Sequence, residues 1–405
     1  MYLPRALEKE ILDISEAFPV ILVSGPRQAG KTTLLQHLAE KNRRYVSLDL
    51  TNNRELAKTA PRTFIETYPP PVLIDEVQYA PELFPYIKAH VDEHKNPGAF
   101  WLTGSQMFQL MKGVSESMSG RVGIIPLLGL SYSEIKGYAN SPFSTEFAAL
   151  RDKADVRHVQ TTAEIFTAIV KGAMPQSLYP TFRTDVYYES YVTTYLERDI
   201  RDLSQVGDLL QFRRFMTACA AHTGCLLNYS NLAQDTGISM PTAKRWLSFL
   251  VSSGIITLLE PYYNNALKRM TKSPKLYFLD TGLAAYLSRW ENAAALEVSA
   301  VSGRFFETYV VSEVIKSFYN AGKRPPLFYY RDRVGGTEID LIVERNGTLF
   351  PLEIKKSSEP GRSALKGFSA LEYTGMPIGA GGVICTTPDL LPFDENNWMI
   401  PVGLV

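Results

Sequence analysis

Apolar and polar positions alternate in three different ways along the chain, and each change of pattern marks a change of architecture. In the first third, short, mostly apolar runs at 20–23, 45–48, 71–74, 99–103 and 124–130 are separated by polar stretches. Runs of that length, bounded by turn residues, read as strands buried on both faces, the habit of a parallel sheet. In the middle, apolar residues return at helical spacing. The spacing predicts helices over 161–173 and 183–202, the second with Tyr187, Tyr191, Thr194, Tyr195 and Leu203 recurring along it. A short helix over 229–236, a tight turn at Gly237-Ile238-Ser239, a helix over 240–251 with Ala243, Trp246, Leu247 and Leu250 on one face, and a strand over 255–259 follow. Near the C-terminal end, two alternating runs flank Asn346-Gly347, which predicts a β-hairpin with a two-residue turn.

Glycine and lysine give the first pattern its chemistry. The apolar run at 20–23 leads directly into Gly25-Pro26-Arg27-Gln28-Ala29-Gly30-Lys31-Thr32, which satisfies GxxxxGK[ST] at each fixed position, and Thr33 opens a helical stretch. Strand, glycine-bounded loop and helix are together the context of a P-loop. Gly25 and Gly30 let backbone N–H groups turn inward around phosphate oxygens, and the helix N-terminus adds the positive end of its dipole. Lys31 is suited to the β- and γ-phosphates of ATP, and the Thr32 hydroxyl to Mg²⁺. Asp75 ends the run at 71–74 and supplies the carboxylate that Mg²⁺ requires, while Glu76 is the natural base for orienting the attacking water. The fold class expected is α/β, built on a P-loop NTPase parallel sheet.

Composition narrows the remainder. A chain of 405 residues suggests two or three domains at roughly 100–200 residues each. The patterns divide it into an ATPase segment (1–140), a helical lid or linker (141–210), a winged helix (211–290) and an α/β domain (291–405). At 45% hydrophobic and 21% charged residues, disorder is excluded. The 42 Lys and Arg cancel the 42 Asp and Glu, so there is no general basic coat for nucleic acid, although a local patch is allowed. Cys219, Cys225 and Cys385 form no CxxC pair and fit a reducing compartment. With no signal-peptide core and no apolar run of about 18 residues, the expected address is cytoplasmic, away from the membrane. His90 and His94, four apart without an evident third ligand, read as surface residues. Helix, turn, helix and strand in that order is winged-helix grammar, with Lys244 and Arg245 projecting from the second helix. Two basic residues are few for base readout, so DNA contact and partner docking both stand.

The hairpin carries a second constellation. With Asn346-Gly347 as the turn, Asp340 falls opposite Glu353 and Glu338 opposite Lys355, all on one face, while Ile339, Leu341 and Val343 face a core. Two carboxylates side by side repel unless a cation separates them, and Mg²⁺ favours a site of one or two carboxylates with water and phosphate. Lys355 would orient the water or stabilise charge. The alternative is a solvated face of complementary charges, Glu338 with Lys355 and Asp340 with Lys356 or Arg331. Tyr329, Tyr330, Arg331 and Arg333 precede the hairpin, a mixture of aromatic and basic residues able to follow a nucleic-acid strand.

The motifs GPRQAGKTT, VLIDEVQ, LTGSQ, SGRV, YLERDI and the EID…EIK pair span nearly the whole chain. In them it resembles a prokaryotic family of AAA-type ATPases with an uncharacterised C-terminal domain. The hairpin resembles the PD-(D/E)xK nuclease fold of the archaeal Holliday-junction resolvase type. The resemblance implies that Ser105, or failing it Thr103, acts as a sensor of the γ-phosphate or lytic water. It implies that Arg121 serves as an arginine finger toward a neighbouring subunit, a surface salt bridge being the equal alternative. Arg198 would reach phosphate as a second sensor, or else pair with Glu197 or Asp202. Glu307, on the helix before the hairpin, matches the additional acid of the nuclease fold. The function expected is an ATPase using ATP and Mg²⁺ that acts on or with DNA and binds or cleaves it through Asp340, Glu353 and Lys355. The alternative is a nucleotide-dependent switch that binds a protein partner or a further copy of itself, with an inactive nuclease-like scaffold.

Overall fold

The computed structural model describes residues 2–105, 118–196, 209–263, 272–332 and 336–405. Where the sequence patterns marked four segments, contacts gather the chain into two compact units. One is 1–140 with 252–255 and 319–323; the other is 141–251, 256–318 and 324–405.

The first unit runs α1 (Glu8–Ala17), β1 (Val20–Ser24), α2 (Lys31–Leu38), β2 (Arg44–Ser47), α3 (Thr51–Thr59), α4 (Pro61–Thr67), β3 (Val72–Asp75), α5 (Leu83–His94), β4 (Phe100–Gly104), β5 (Val122–Pro126) and α6 (Tyr132–Lys136). The strands form one parallel sheet in the order β2-β3-β4-β1-β5. Side chains alternate across it: Val20, Leu22, Val72, Ile74, Phe100 and Leu102 enter one core, whereas Ile21, Val23, Leu73 and Trp101 enter another. Two covered faces are why these strands read as continuous apolar runs. The carboxyl ends of β1, β3 and β4 therefore lie along one edge, the usual place for a ligand in such a sheet.

The second unit contains α7 (Phe147–Ala154), α8 (Thr162–Lys171), α9 (Thr184–Tyr191), α10 (Leu209–Ala221), β6 (Cys225–Leu226), α11 (Tyr229–Thr236), α12 (Met240–Ser252), β7 (Ile256–Leu259), β8 (Lys275–Phe278), α13 (Thr281–Leu287), α14 (Ala293–Glu297) and α15 (Ser302–Tyr319). The helix expected over 183–202 is not uniform. It is α-helical to Tyr191 and then π-helical over Val192–Leu196. The β-branched run Val192-Thr193-Thr194 weakens an α-helix, and the Thr194 hydroxyl donates back to the Ser190 carbonyl at 2.6 Å. The rest of that segment, with Leu203, lies outside the described residues. Between α11 and α12, Gly237 takes the left-handed conformation (φ 67°) that ends α11. Ala243, Trp246, Leu247 and Leu250 of α12 are buried. β6, β8 and β7 form a small antiparallel sheet in that order.

A mixed six-stranded sheet follows, ordered β13-β14-β12-β11-β10-β9. It comprises β9 (Leu327–Arg331), β10 (Glu338–Arg345), β11 (Thr348–Lys355), β12 (Gly381–Cys385), β13 (Leu391–Pro392) and β14 (Asn397–Pro401). The β10–β11 hairpin closes at Arg345 and Thr348, and its register continues through Leu341 opposite Leu352. Asn346 (φ 50°) and Gly347 (φ 75°) are both left-handed, as a two-residue turn of this twist demands. The pairing expected for Glu338 does not form. A register shift between Ile339 and Ile342 against β9 redirects the start of β10, and Glu338 meets Lys275 at 2.6 Å and Arg331 at 3.9 Å instead of Lys355. Nor is there a solvated hairpin face, for Asp340 and Glu353 are both buried.

Candidate functional site

The loop after β1 is shaped by backbone conformations that few residues accept. Gly25 has φ 151°, and a Cβ there would lie 2.0 Å from the Leu127 carbonyl oxygen. Gln28 (φ 63°) and Gly30 (φ 92°) are left-handed. The Lys31 ammonium folds back over the loop and donates to the carbonyls of Gly25 (3.0 Å) and Pro26 (2.9 Å). Arg27 donates to the Tyr79 hydroxyl at 3.0 Å, Ala29 is buried, and Thr33 is exposed on α2.

Thr32 and Asp75 come together across the sheet edge, the hydroxyl 2.6 Å from Asp75 Oδ1. Thr103 donates to the same oxygen at 2.5 Å and accepts from the Glu76 amide at 2.9 Å, so one hydroxyl ties the acidic pair to β4. Tyr45 donates to Asp75 Oδ2 at 3.2 Å. Glu76 is left-handed (φ 56°) without being glycine, a strained conformation that costs about 1–3 kcal/mol and collects at functional sites. Ser105 donates to Glu76 Oε2 at 3.1 Å, and the Gln78 amide reaches both groups. Burial pushes the Glu76 carboxyl up, but Lys31, the Gln78 hydrogen bond and Arg27 together hold it below its ordinary value. These residues fit a nucleotide and a hard cation: a glycine-bounded cradle at a helix start, one ammonium, and paired hydroxyl and carboxylate oxygens.

Arg121 makes a two-pronged ion pair with Asp92, Nε to Oδ1 at 2.5 Å and Nη2 to Oδ2 at 3.1 Å, on an exposed surface. Arg198 lies outside the described residues, as does Arg333. Lys244 and Arg245 are exposed on α12, with Lys244 over the Tyr229 ring at 5.5 Å. His90 and His94 stack on one another, with ring centres 4.2 Å apart.

Sequence reasoning missed Arg5 and Glu134. The Arg5 guanidinium pairs with Glu134 at 2.8 Å and donates to the carbonyls of Ala29 and Leu128, each at 2.9 Å. It thereby fixes the loop from behind. Its only signal was the capping box of α6, where Ser131 and Glu134 bond reciprocally.

In the second unit, Glu307, Glu338, Asp340, Glu353 and Lys355 do converge, but around a residue not foreseen. Lys275 lies 3.0 Å from Glu307, 2.6 Å from Glu338 and 3.6 Å from Asp340. Tyr277 donates to Glu307 at 2.6 Å. Lys355 bridges Asp340 (3.1 Å) and Glu353 (2.6 Å), and Asp340 also accepts from the Ile354 amide at 3.0 Å. Burial and Asp340 push the Glu353 carboxyl up to about 8, while Lys275 and Lys355 outweigh burial and hold Asp340 below its ordinary value. Among the described residues no group of three or more His, Cys, Asp or Glu is arranged to hold a metal ion. With the Lys275 ammonium seated among Glu307, Glu338 and Asp340, these three carboxylates as arranged do not fit Mg²⁺.

Comparison with known proteins places these sites in context. Residues 17–136 match an AAA domain family. Residues 162–294 and 302–405 match two domains of unknown function, DUF8612 and DUF4143. Two curated relatives, the uncharacterized proteins Rv2008c of Mycobacterium tuberculosis and Mb2031c of Mycobacterium bovis, are each 31% identical over 348 residues, 85% of this chain and 72% of theirs. The chain belongs to their family. The nucleotide cradle lies inside the span, residues 17–136, that matches the AAA domain. Among solved structures, the Walker-type ATPase of Pyrococcus abyssi aligns at 15% identity and TM-score 0.43, covering 69% of this chain and 94% of that one. A single-substitution variant of RuvB from Thermotoga maritima aligns at 15% identity and TM-score 0.28, covering 62% and 88%. Among the described residues, no helix of the chain is long and apolar enough to cross a membrane.

Proposed function

We propose that this AAA protein hydrolyses ATP with Mg²⁺ and couples the cycle to DNA. The observation that carries the ATPase reading is the convergence of Lys31, Thr32, Asp75, Glu76 and Ser105 at one edge of the parallel sheet. Lys31 leaves the loop carbonyls to neutralise the phosphates, and Thr32 and Asp75 hold the cation. Glu76 orients water, with Ser105 and Gln78 fixing its carboxylate. Arg121 exchanges Asp92 for the phosphate of a neighbouring subunit.

The DNA reading rests on α11, its turn and α12 as a winged helix that presents Lys244 and Arg245, and on a nuclease-like domain over 291–405 that holds nucleic acid. A second reading, a nucleotide-dependent switch for a protein partner, is favoured by Lys244 already lying over Tyr229. ATPase rate with Mg²⁺, measured with single-stranded, duplex and branched DNA, separates the two. Stimulation abolished by Lys31→Ala supports DNA coupling. Turnover retained in Lys31→Ala overturns the site, and hydrolysis indifferent to every DNA moves the reading to the partner switch.

A further inference from the structure

Lys275 occupies the space among Glu307, Glu338 and Asp340 that a divalent cation shared by those three would need. It enters from β8, within the span matched to one domain of unknown function, whereas its carboxylates come from α15 and β10, within the span matched to another. Its side chain is 4% exposed, and its ammonium lies at hydrogen-bond distance from Glu307 and Glu338 and at ion-pair distance, 3.6 Å, from Asp340. The Tyr329 ring lies 5.7 Å from the ammonium, and the Tyr277 hydroxyl holds Glu307 in place at 2.6 Å. Lys355 serves Asp340 and Glu353 on the other side, and Arg331 approaches Glu338 at 3.9 Å, so each carboxylate of the cluster already has a cation. Mg²⁺ needs carboxylate oxygens at about 2.0–2.1 Å. Glu307, Glu338 and Asp340 Oδ1 face the Lys275 ammonium, and Asp340 Oδ2 and Glu353 Oε2 face Lys355, so a metal ion among the first three would have to displace Lys275.

We propose that Lys275 is the resident cation of this cluster, that it keeps divalent metal out, and that a neutral side chain in its place opens a seat for Mg²⁺ or Mn²⁺ among Glu307, Glu338 and Asp340. The inference rests on the nuclease-like reading of 291–405 only for its consequence: the domain holds nucleic acid without metal-dependent cleavage. It also makes the cluster a fastener between β8 and the C-terminal sheet, since both sides lose their counter-charge if they part.

The test is Mn²⁺ binding to the full chain without nucleotide, followed by the electron paramagnetic resonance signal of free Mn²⁺. Wild type, D340N, K275M and K275M/D340N are compared, with folding checked by circular dichroism. Wild type and D340N should give coincident isotherms, because any weak binding at the P-loop is common to both. K275M should gain one site that K275M/D340N lacks, and Mn²⁺ should raise its melting temperature saturably. A wild-type site lost in D340N overturns the proposal, as does a folded K275M without a gained site. Should K275M not fold, K275Q keeps a polar neutral group at the position. Should that also fail, the wild-type and D340N comparison decides alone, coincidence supporting the proposal and a D340N-sensitive site overturning it. DNA stimulation of the ATPase is read separately, so its absence defeats the DNA reading and leaves the Mn²⁺ result standing.

Discussion

At the scale of single residues, the nucleotide site turns on how Glu76 is held. Its left-handed backbone aims the carboxylate, Thr103 fixes the amide, and Gln78 with Ser105 fixes one oxygen. Glu76→Gln keeps the shape and removes the base; it should bind ATP as wild type does and hydrolyse it about 10²–10⁴-fold more slowly, checked by a filter-binding assay beside single-turnover hydrolysis. Gln78→Ala acts on the same group through its proton. The Gln78 hydrogen bond is one of the influences keeping the carboxyl below its ordinary value. The base is ionised above its pKa and fails as pH falls through it, so removing that bond should move the acid limb of the kcat profile to higher pH. An unmoved limb would mean that Gln78 only packs. Asp75 and Glu76 were legible as two acids ending an apolar run. Gln78 was not, because its reach back to Glu76 depends on the 3-10 turn Val77–Tyr79, which no local pattern announces.

Between elements, the nucleotide loop depends on a buried ion pair. Arg5, before α1, and Glu134, in α6, clasp one another while Arg5 supports the Ala29 carbonyl. Breaking such a pair from one side leaves a buried charge uncompensated, so Arg5→Ala should cost about 3–5 kcal/mol of stability and weaken ATP binding through Ala29. Calorimetric melting and nucleotide titration check the two effects. The pH dependence has a definite sign. Against burial, Arg5 and the backbone amides of Ser131 and Ala6 hold the Glu134 carboxyl below its ordinary value. Its contribution is therefore full above the unfolded carboxyl pKa of about 4.3 and is lost as pH falls toward the lower folded value. Glu134→Gln should flatten the melting temperature of wild type across that acid range, and an equally steep loss in the variant would assign it to other carboxylates. A second junction joins α8, α9 and α13. Tyr188 donates to Asp280 at 2.6 Å, and a Cβ on Gly282 would lie 2.3 Å from the Tyr188 hydroxyl. Gly282→Ala should cost about 1–3 kcal/mol by overpacking, read from the shift of a denaturant midpoint. The β10–β11 hairpin could be read from Asn346-Gly347 because its cause is local. Lys275 could not, because its partners lie on α15 and β10, far along the chain, and only the tertiary fold brings a lysine of an apolar strand among their acids.

For the molecule as a whole, zero formal charge limits how DNA can be held. Without a basic coat, affinity must come from a few placed cations, and the number of phosphates they meet is measurable. Each phosphate neutralised on duplex DNA contributes about 0.9 to the slope of log affinity against log salt. Two exposed basic residues on α12 therefore predict a definite change. Replacing Lys244 and Arg245 together by glutamine should flatten that slope by about 2 in magnitude and weaken binding similarly across sequences. Fluorescence anisotropy of a labelled duplex between low and physiological salt, with ATP held constant, reads it directly. A slope that flattens by that amount ties duplex binding to these two residues. If the variant keeps the wild-type slope, the pair does not touch phosphate, and α12 is then free to dock a protein. The same balance explains why the sequence could separate these readings no further: net charge reports the absence of a coat, whereas a site is made by which few charges the fold leaves unpaired on one face.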